Sequence, residues 1–289
     1  MIVSAQIVGD AEDVFGPDDA LVPWWSFGKT VIAAAAFKLA EHGKLELDAP
    51  LEGKPFTLRQ LLAHRAGLRD YGGLADYHAA VARGDLAWSA DEMLARARAD
   101  ELLFAPGQGW SYSNIGYHLV CRQIERATDS ELRSALHATI FAPLGVHAFV
   151  SRRRDDMQRL LWRGLGGYDP RWVYHGLIVG TAADAARLLH RLFATAYLSQ
   201  ASRAAMFDSV PLPFALTGRA FVQPTPGTGL MIDPRSRHGM MFGHTGGGPG
   251  SVSAVYRFPD LAPPRTIAAF ADNDDEAAIE RTVLDLAGA

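Results

Sequence analysis

The sequence predicts an α+β protein whose antiparallel sheet takes strands from both ends of the chain. A β-branched stretch that alternates loosely opens the chain at residues 2–9, as a strand would. From residue 219 onward, short β-rich runs separated by turn clusters favour antiparallel hairpins. The residues between these regions carry helical periodicity and helix caps. We therefore expect an antiparallel sheet flanked by helices, together with an all-helical lobe.

The length and composition of the chain favour one domain made of two closely packed lobes. Its 289 residues, 48% of them apolar, suffice for a large hydrophobic core. We expect an α/β lobe formed by residues about 1–56 and 215–289, and a helical lobe formed by residues about 57–214.

An alanine-rich run just after Ser26 predicts a mostly buried helix. Residues 30–41 contain no proline, and Gly43 follows as a helix C-terminal glycine would. Ser26 is therefore expected at the start of this helix. Because residues three apart on a helix share a face, the Lys29 amine is expected within reach of the Ser26 hydroxyl.

Cap residues and apolar periodicity predict further helices along the middle of the chain. They include a helix after the capping box of Thr57 and Gln60, one over 91–99 capped by Ser89, one over about 115–127, and one capped by Thr181 and ending near 193. The β-rich runs lie at 219–222, 229–232, 240–244, 251–258 and 266–271, before a last helix over about 275–286.

The charge pattern and the absence of targeting signals limit the kinds of partner expected for this protein. The 32 acidic and 28 basic residues are interspersed without a basic stripe and give a net charge of −4, so no nucleic-acid partner is expected. The first residues lack a basic segment followed by an apolar one, and no apolar run is long enough to span a membrane. We therefore expect a cytoplasmic protein without a membrane partner. The oligomeric state cannot be read from the sequence.

The cysteine, histidine and glycine patterns predict no metal and no cofactor. Cys121 is the single cysteine, which excludes an intrachain disulfide and a cysteine metal cluster. The ten histidines show no ligand-like spacing. The glycine-rich stretch 246–250 lacks the lysine and the following helix of a phosphate-binding loop, so nucleotide binding is not expected.

Three short motifs supply groups suited to acyl transfer. Ser26 and Lys29 pair a nucleophile with a base, because a desolvated lysine near a positive helix end can accept the serine proton. Tyr112-x-Asn114 lies between a Pro-Gly turn and a helix, where side chains commonly project into a cleft. His244-Thr-Gly ends a β-rich run whose glycines let a ligand approach the backbone.

In their order and spacing these motifs resemble those of penicillin-binding-type serine hydrolases, in the branch of class C β-lactamases, D-aminopeptidases and esterases. Segments 61–68, 104–107 and 140–145 also look like that family, and the resemblance extends from about residue 26 to 258. It implies a β-lactamase/transpeptidase-like fold and an acyl-enzyme mechanism.

The resemblance and the side-chain chemistry together imply a set of catalytic residues. Ser26 would be acylated, with Lys29 and Tyr112 sharing the proton transfers. A phenol is a poor base at neutral pH, so we expect positive charge on Lys29 and His244 to lower the pKa of Tyr112. The resemblance also implies an oxyanion hole formed by the backbone N–H groups of Ser26 and Gly247. The expected substrate-binding residues are Asn114, Thr245, Gly246 and Gly247.

Two features depart from the family pattern. His244 stands where many β-lactamases carry a lysine, and a histidine is mostly neutral at pH 7, which disfavours recognition of a substrate carboxylate. Only 25 residues precede Ser26, fewer than the family usually has, which raises the question of a shortened sheet edge. Near the motifs, Trp24, Trp25 and Trp110 are candidates either for an apolar acyl pocket or for ordinary core packing.

The sequence thus predicts a serine hydrolase that acts through an acyl-enzyme on a small-molecule ester, amide or D-aminoacyl substrate, with weak β-lactamase activity left open. The alternative from another class is a non-catalytic binding module that retains the fold. An ordinary α/β-hydrolase is disfavoured because the chain lacks a Gly-x-Ser-x-Gly elbow.

Overall fold

A seven-stranded antiparallel sheet forms the larger layer of the structure, a computed structural model that describes residues 1–212, 214 and 216–289. The strand order is β2-β1-β10-β9-β8-β7-β6. The strands of the protein are β1 (Ile2–Val8), β2 (Ala11–Phe15), β3 (Val22–Pro23), β4 (Phe149–Ser151), β5 (Leu177–Gly180), β6 (Thr225–Pro226), β7 (Met231–Ser236), β8 (Gly239–Gly248), β9 (Ser251–Phe258) and β10 (Arg265–Ala271).

Strands from the two ends of the chain are neighbours in this sheet. β1 pairs with β10 over seven residues, with Ile2 opposite Ala271 and Val8 opposite Arg265. β2 folds back on β1 and forms one edge of the sheet, on the side of β1 that faces away from β10. The α+β fold class predicted from the sequence is confirmed, including the contribution of both ends to one sheet.

Helices surround the sheet and fill the middle of the chain. They are α1 (Gly28–Glu41), α2 (Leu58–Leu62), α3 (Ala75–Ala82), α4 (Ala90–Arg96), α5 (Asn114–Thr128), α6 (Leu132–Leu136), α7 (Arg154–Met157), α8 (Ala182–Ala194), α9 (Gln200–Met206) and α10 (Glu276–Ala287). Eleven of the 14 residues of α1 are buried. This helix therefore lies in the core, as its apolar sequence predicts.

Two helices cover opposite faces of the main sheet. Because side chains alternate along a strand, Ala268 and Phe270 of β10 belong to the hydrophobic cluster that contains α8, whereas Ile267 and Ala269 belong to the cluster that contains α10. Helix α8 packs on β1, β9 and β10, and α10 packs on β8, β9 and β10. The sheet is thus buried on both faces.

The predicted caps are present at three helices. Thr57 and Gln60 form the reciprocal bonds of a capping box at α2. The hydroxyls of Ser89 and Thr181 accept backbone N–H groups at the starts of α4 and α8. Ser113, which was not predicted as a cap, accepts such a group at the start of α5. The Ser113 cap matters for the site, because it sets where α5 begins directly after Tyr112.

A second, three-stranded sheet in the order β3-β5-β4 was not predicted. β4 and β5 lie inside the stretch 57–214 that was expected to be all-helical, so strands interrupt that stretch, and about half of its residues are helical. The two strands are three and four residues long. Runs this short carry too few residues to show a strand period. The expected lobe boundary between 214 and 215 lies at a position outside the described residues.

One of the predicted β-rich runs is not a strand. Residues 219–222 are bends, although their composition suggested pairing. The backbone N–H groups of Val222 and Gln223 donate to the carboxylate of Asp233, at 2.6 and 3.1 Å. A side-chain acceptor thus takes donors that a neighbouring strand would otherwise use.

Across the described part of the chain, no helix combines the length and the apolar character needed to cross a bilayer.

Candidate functional site

Ser26 lies in a short 3-10 turn, Trp25–Phe27, that runs directly into α1. Trp25, immediately before it, has a φ of 44°, a left-handed conformation that non-glycine residues seldom adopt. The Lys29 amine, one turn further on, is 3.1 Å from the Ser26 hydroxyl oxygen. The geometry expected from the three-residue spacing is therefore present.

Tyr112 approaches the same hydroxyl from the loop before α5. Its phenolic O–H donates to the Ser26 oxygen at 2.8 Å. The ring stacks on the imidazole of His64, with centroids 4.5 Å apart, and the Nδ1 atom of His64 accepts the Ser113 N–H at 3.0 Å. His64 thus holds the loop from both its ring face and its nitrogen. It was not among the residues singled out from the sequence.

Burial dominates the chemistry of the Lys29 amine. The side chain is fully buried, and desolvation lowers its pKa from 10.5 to about 7, against the opposing effects of Asp70 and Cys121. A large fraction of this lysine is therefore the free amine at neutral pH. In that form it can accept the proton of Ser26 while Ser26 accepts a hydrogen bond from Tyr112.

The pKa of Tyr112 moves in the direction opposite to the expectation. Burial raises it well above its ordinary value, although the hydrogen bond to Ser26 and the charge of Arg219 act to lower it. The phenol is therefore neutral at physiological pH and suits the role of proton donor better than that of base.

His244 does not supply the positive charge expected of it. It is buried, and desolvation together with the charge of Lys29 lowers its pKa to about 3. Its Nδ1 atom lies 2.6 Å from the Thr245 carbonyl oxygen, which can only accept, so Nδ1 carries the proton and Nε2 the lone pair. The ring centroid is 6.5 Å from that of Tyr112. His244 is a neutral, polar neighbour of the phenol.

The second half of β8 passes along the Ser26 turn. The pairing of β8 with β7 ends at Gly243, so residues 244–248 continue beyond that neighbour. A Cβ atom on Gly246 would clash with the backbone nitrogen of Ser26, and one on Gly248 would clash with the Trp25 indole. Only glycine lets this strand lie so close to the turn.

Thr245 faces the opposite side of β8. Its hydroxyl donates to Glu280 at 2.7 Å and accepts from the Tyr256 hydroxyl at 2.7 Å, because the carboxylate can only accept. Arg219 pairs with the same Glu280 and, at 2.6 Å, with Glu276. The Thr245 hydroxyl is thus occupied inside the protein, which differs from the substrate-binding role expected for it.

Asn114 is held by a carboxylate rather than by Lys29. Its backbone N–H and its side-chain amide donate to the two oxygens of Asp70, at 2.8 and 3.0 Å. Burial raises the pKa of Asp70, and these donors together with Lys29 counteract the rise. Asp70 follows the segment 61–68 in the sequence, but nothing in that segment marked it as part of the site.

His175 is a further neighbour of Lys29 that the sequence did not indicate. Its Nε2 atom is 3.3 Å from the Lys29 amine, and its Nδ1 atom is buried with no hydrogen-bond partner. The residue lies 146 positions from Lys29, just before β5, with no motif around it.

Two cavities lie near the site. One, of about 360 Å³, contains Ser26, Asn114 and Gly247 in its wall together with several aromatic rings. The other, of about 60 Å³, is mainly apolar and is bounded by Tyr112 and His244. The aromatic residues of the larger cavity are Trp25, Tyr71, Tyr77, His78, Tyr168 and His175.

The three tryptophans near the motifs divide between these cavities and the core. Trp25 lines the larger cavity and Trp110 the smaller one. Trp24 is fully buried against Phe27 and Phe141 and belongs to the hydrophobic core.

Among the residues that the structure describes, no group of three or more histidine, cysteine, aspartate or glutamate side chains is placed to hold a metal ion.

The family model for beta-lactamases matches residues 14–286. The chain belongs to the beta-lactamase family. Penicillin-binding protein 4* of Bacillus subtilis is 26% identical over 293 residues, which cover 90% of this chain and 62% of that protein. Esterase EstB of Burkholderia gladioli is 33% identical over 156 residues, 46% of this chain and 40% of that protein. The chain thus matches about three fifths or less of the length of these two relatives.

The beta-lactamase-family fold is also seen in solved structures. A D-stereospecific amidohydrolase from Streptomyces sp. superimposes with a TM-score of 0.83 over 98% of this chain and 92% of that one, at 23% identity. The β-lactamase/transpeptidase-like fold implied by the sequence motifs is therefore confirmed.

Proposed function

We propose that this member of the beta-lactamase family is a serine hydrolase that forms an acyl-enzyme on Ser26. The observation that carries the proposal is the pair of hydrogen bonds at the Ser26 oxygen, 3.1 Å from the Lys29 amine and 2.8 Å from the Tyr112 hydroxyl. Nucleophilic catalysis requires a base within such reach of the hydroxyl. The arrangement supplies both a proton acceptor and a proton donor at one oxygen.

In the acylation step, the free amine of Lys29 takes the proton of Ser26 as the oxygen attacks the substrate carbonyl carbon. Tyr112 then donates its proton to the leaving nitrogen or oxygen as the bond to the carbonyl carbon breaks. The Lys29 ammonium, 4.9 Å from the centre of the Tyr112 ring, is the source of the proton that restores the phenol. In the second half of the cycle, Lys29 takes a proton from water as the water oxygen attacks the carbonyl carbon of the ester on Ser26. The bond from that carbon to the Ser26 oxygen then breaks, and the Lys29 ammonium, 3.1 Å away, returns the proton to the Ser26 oxygen as the acid product leaves.

The negative charge on the carbonyl oxygen needs preorganised donors. We assign these to the backbone N–H groups of Ser26 and Gly247. Support comes from the close approach of β8 to the Ser26 turn at Gly246, and from the presence of Ser26 and Gly247 in the wall of one cavity.

The charges around the site favour substrates without a free carboxylate. His244 is neutral at pH 7, and the guanidinium of Arg219 is already paired with Glu276 and Glu280. Lys29 is the remaining basic side chain at the Ser26 oxygen, and it acts as the base. Neutral small esters and amides, including D-aminoacyl compounds, therefore fit better than carboxylate-bearing β-lactams. The esterase activity named for the 33% identical relative agrees with this class.

The first experiment is covalent labelling with a fluorophosphonate, read by intact mass. Wild type is expected to gain one adduct, and Ser26→Ala none, because Ser26 Oγ is the attacking atom. Ser134→Ala, at an exposed position of α6, serves as the matched control and should label like wild type. Turnover of p-nitrophenyl esters, a D-amino acid p-nitroanilide and a chromogenic cephalosporin then ranks the substrate classes.

Labelling of Ser26→Ala at the wild-type rate would place the nucleophile elsewhere. Absence of both adduct and turnover at several pH values in wild type would favour the non-catalytic binding module.

A further inference from the structure

The Lys29 amine has few groups able to bind it as a cation. Ser26 and His175 are within hydrogen-bond distance, at 3.1 and 3.3 Å. Aromatic rings occupy two further directions, with the centres of Tyr112 and Tyr117 at 4.9 and 5.6 Å. His175 therefore supplies the nitrogen acceptor for this amine.

The titratable groups that influence Lys29 come from several elements. They are Asp70 in the loop before α3, His64 after α2, Tyr112 before α5, Tyr117 and Cys121 on α5, His175 before β5 and His244 on β8. Asp70 is the acidic group among them that acts on the lysine, and it bonds to Asn114 rather than to the amine. The local bond to His175 is consequently distinct from the longer-range effect of the carboxylate.

The ring of His175 can adapt to both protonation states of the lysine. An ammonium can only donate, so it requires the lone pair on His175 Nε2 and places the ring proton on Nδ1. A free amine can instead accept from Nε2–H, which leaves the lone pair on Nδ1. The Nδ1 atom is buried and has no partner in the structure, so no other bond fixes the tautomer.

The small sheet aligns His175 with the nucleophile turn. Trp24 N–H donates to the Ile178 carbonyl of β5 at 2.8 Å, two residues before Ser26 and three residues after His175. Gly176 has a φ of 89°, and a Cβ atom there would press on Leu132 and Val150. The backbone beside His175 is thus tightly determined, and β3 and β5 link it to the turn.

We propose that His175 is a positioning residue that holds the Lys29 amine against Ser26 and sets the pH at which it becomes a base. The inference rests on the proposed acyl-enzyme function of Ser26. Loss of the acceptor removes a charge-assisted hydrogen bond from the ammonium and leaves the amine free to turn away from Ser26.

The test compares His175→Leu, which lacks an acceptor, with His175→Gln, which keeps one. The readout is kcat/KM for a p-nitrophenyl ester from pH 5 to 9. In wild type, kcat/KM should rise with pH on the acid side of the profile, and the midpoint of this acid limb should lie near pH 7, the pKa of Lys29. In His175→Leu it should move down by about one pH unit, and the plateau should fall about tenfold or more, because a weaker and less ordered base remains. In His175→Gln the acid limb should stay within about 0.3 unit of wild type.

A second measurement avoids dependence on the leucine variant. Nitrogen-15 NMR of the histidine rings in wild type, with the His175 signals identified by their absence in His175→Gln, reports the tautomer directly. At pH 6, where Lys29 is an ammonium, the proton should be on Nδ1 of His175 and Nε2 should be unprotonated.

An acid limb that stays near pH 7 in His175→Leu would reduce the residue to a packing role and overturn the proposal. A proton on His175 Nε2 at pH 6 would overturn it equally. If wild type forms no fluorophosphonate adduct, the acyl-enzyme function itself fails, whereas the NMR result still decides whether His175 binds the amine.

Discussion

A fully buried amine at position 29 is a local cost to the fold. Moving a lysine out of water disfavours its charged form, and the lowered pKa of Lys29 measures that penalty. The neighbours Ser26, which is half-buried, and His175, which is buried, compensate only in part, because each is a neutral hydrogen-bonding group. The proposed role of Lys29 as a base and the stability of the fold therefore oppose each other at this residue.

We expect Lys29→Met to abolish acylation and to raise the free energy of unfolding. The unfolded lysine keeps its ordinary pKa of 10.5, whereas the folded one titrates at about 7, so the penalty is largest near pH 7 and shrinks as the pH rises toward 10.5. The gain in stability should decrease by about 1.4 kcal/mol for each pH unit in this window. Urea denaturation of both proteins at pH 7 and pH 9 measures it.

Lys38→Met on the same helix is a control, because that lysine is only partly buried and its amine is bound by Glu41 and by the Tyr197 carbonyl. If Lys29→Met stabilised the protein equally at pH 7 and pH 9, the pKa of Lys29 would not be lowered in the folded state.

At the level of residues, the sequence could indicate the site residues that belong to local motifs. It could not indicate those that reach the site from distant parts of the chain. Ser26 and Lys29 are three apart on one helix, so helical geometry alone brings them together. Asp70 and His175 are single residues in loops, and they reach the site only through long-range packing. The pKa of Tyr112 was wrongly expected to fall, because burial, which the sequence does not show, outweighs the nearby charges.

Among the elements, β8 has two unlike halves. Residues up to Gly243 pair with β7, and the remaining part runs along the Ser26 turn. On this second half, alternate positions face the turn and α10, since Gly246 lies against Ser26 whereas Thr245 bonds to Glu280. The strand therefore connects Ser26, the proposed nucleophile, on one face with the Arg219–Glu280 ion pair on the other.

Gly246→Ala should reduce the rate of Ser26 acylation by a factor of about 100, because the new methyl group would displace the backbone nitrogen assigned to the oxyanion. The rate of fluorophosphonate labelling is the direct measurement. Gly164→Ala is the matched control, since a Cβ atom there meets nothing within 4 Å. Equal labelling rates for the two variants would contradict the close contact between β8 and the turn.

The elements that the sequence predicted best are those with strong local signals. Helices α2, α4 and α8 begin at the predicted caps, and β9 matches its predicted bounds of 251–258. The strands that were missed, such as β3 and β6, have only two residues each. Their extended conformation depends on the neighbouring strand rather than on their own residues.

For the molecule as a whole, four buried histidines tie stability to pH. Burial lowers the pKa of His64, His118, His175 and His244 below 6.5, which favours their neutral form in the folded state. The unfolded chain thus binds more protons than the folded one below pH 6.5, so stability is present above that pH and is lost as the pH falls. Lys29 adds to this fall only near pH 7, where the folded amine titrates, because at pH 5.5 it is protonated in both states.

We expect the free energy of unfolding to fall by several kcal/mol between pH 7.5 and pH 5.5, with at most about 1.4 kcal/mol from each of these histidines. Urea denaturation at the two pH values measures the fall. In His244→Gln the drop should be smaller by about 1.4 kcal/mol, because the pKa of His244 lies near 3 in the folded state. A drop of the same size in that variant would show that carboxylates, rather than these rings, control acid stability.

The pairing of β1 with β10 also constrains the order of events during synthesis. Ile2 finds its partner Ala271 only after β10 has been synthesised, and contacts between residues so distant in sequence form slowly. β8 and β9 also lie far beyond Ser26 in the sequence, and they complete its surroundings. A nascent chain halted before β8 would therefore carry Ser26 without the Gly247 N–H that we assign to the oxyanion, and the proposed hydrolytic activity would arise only once β8 has been made.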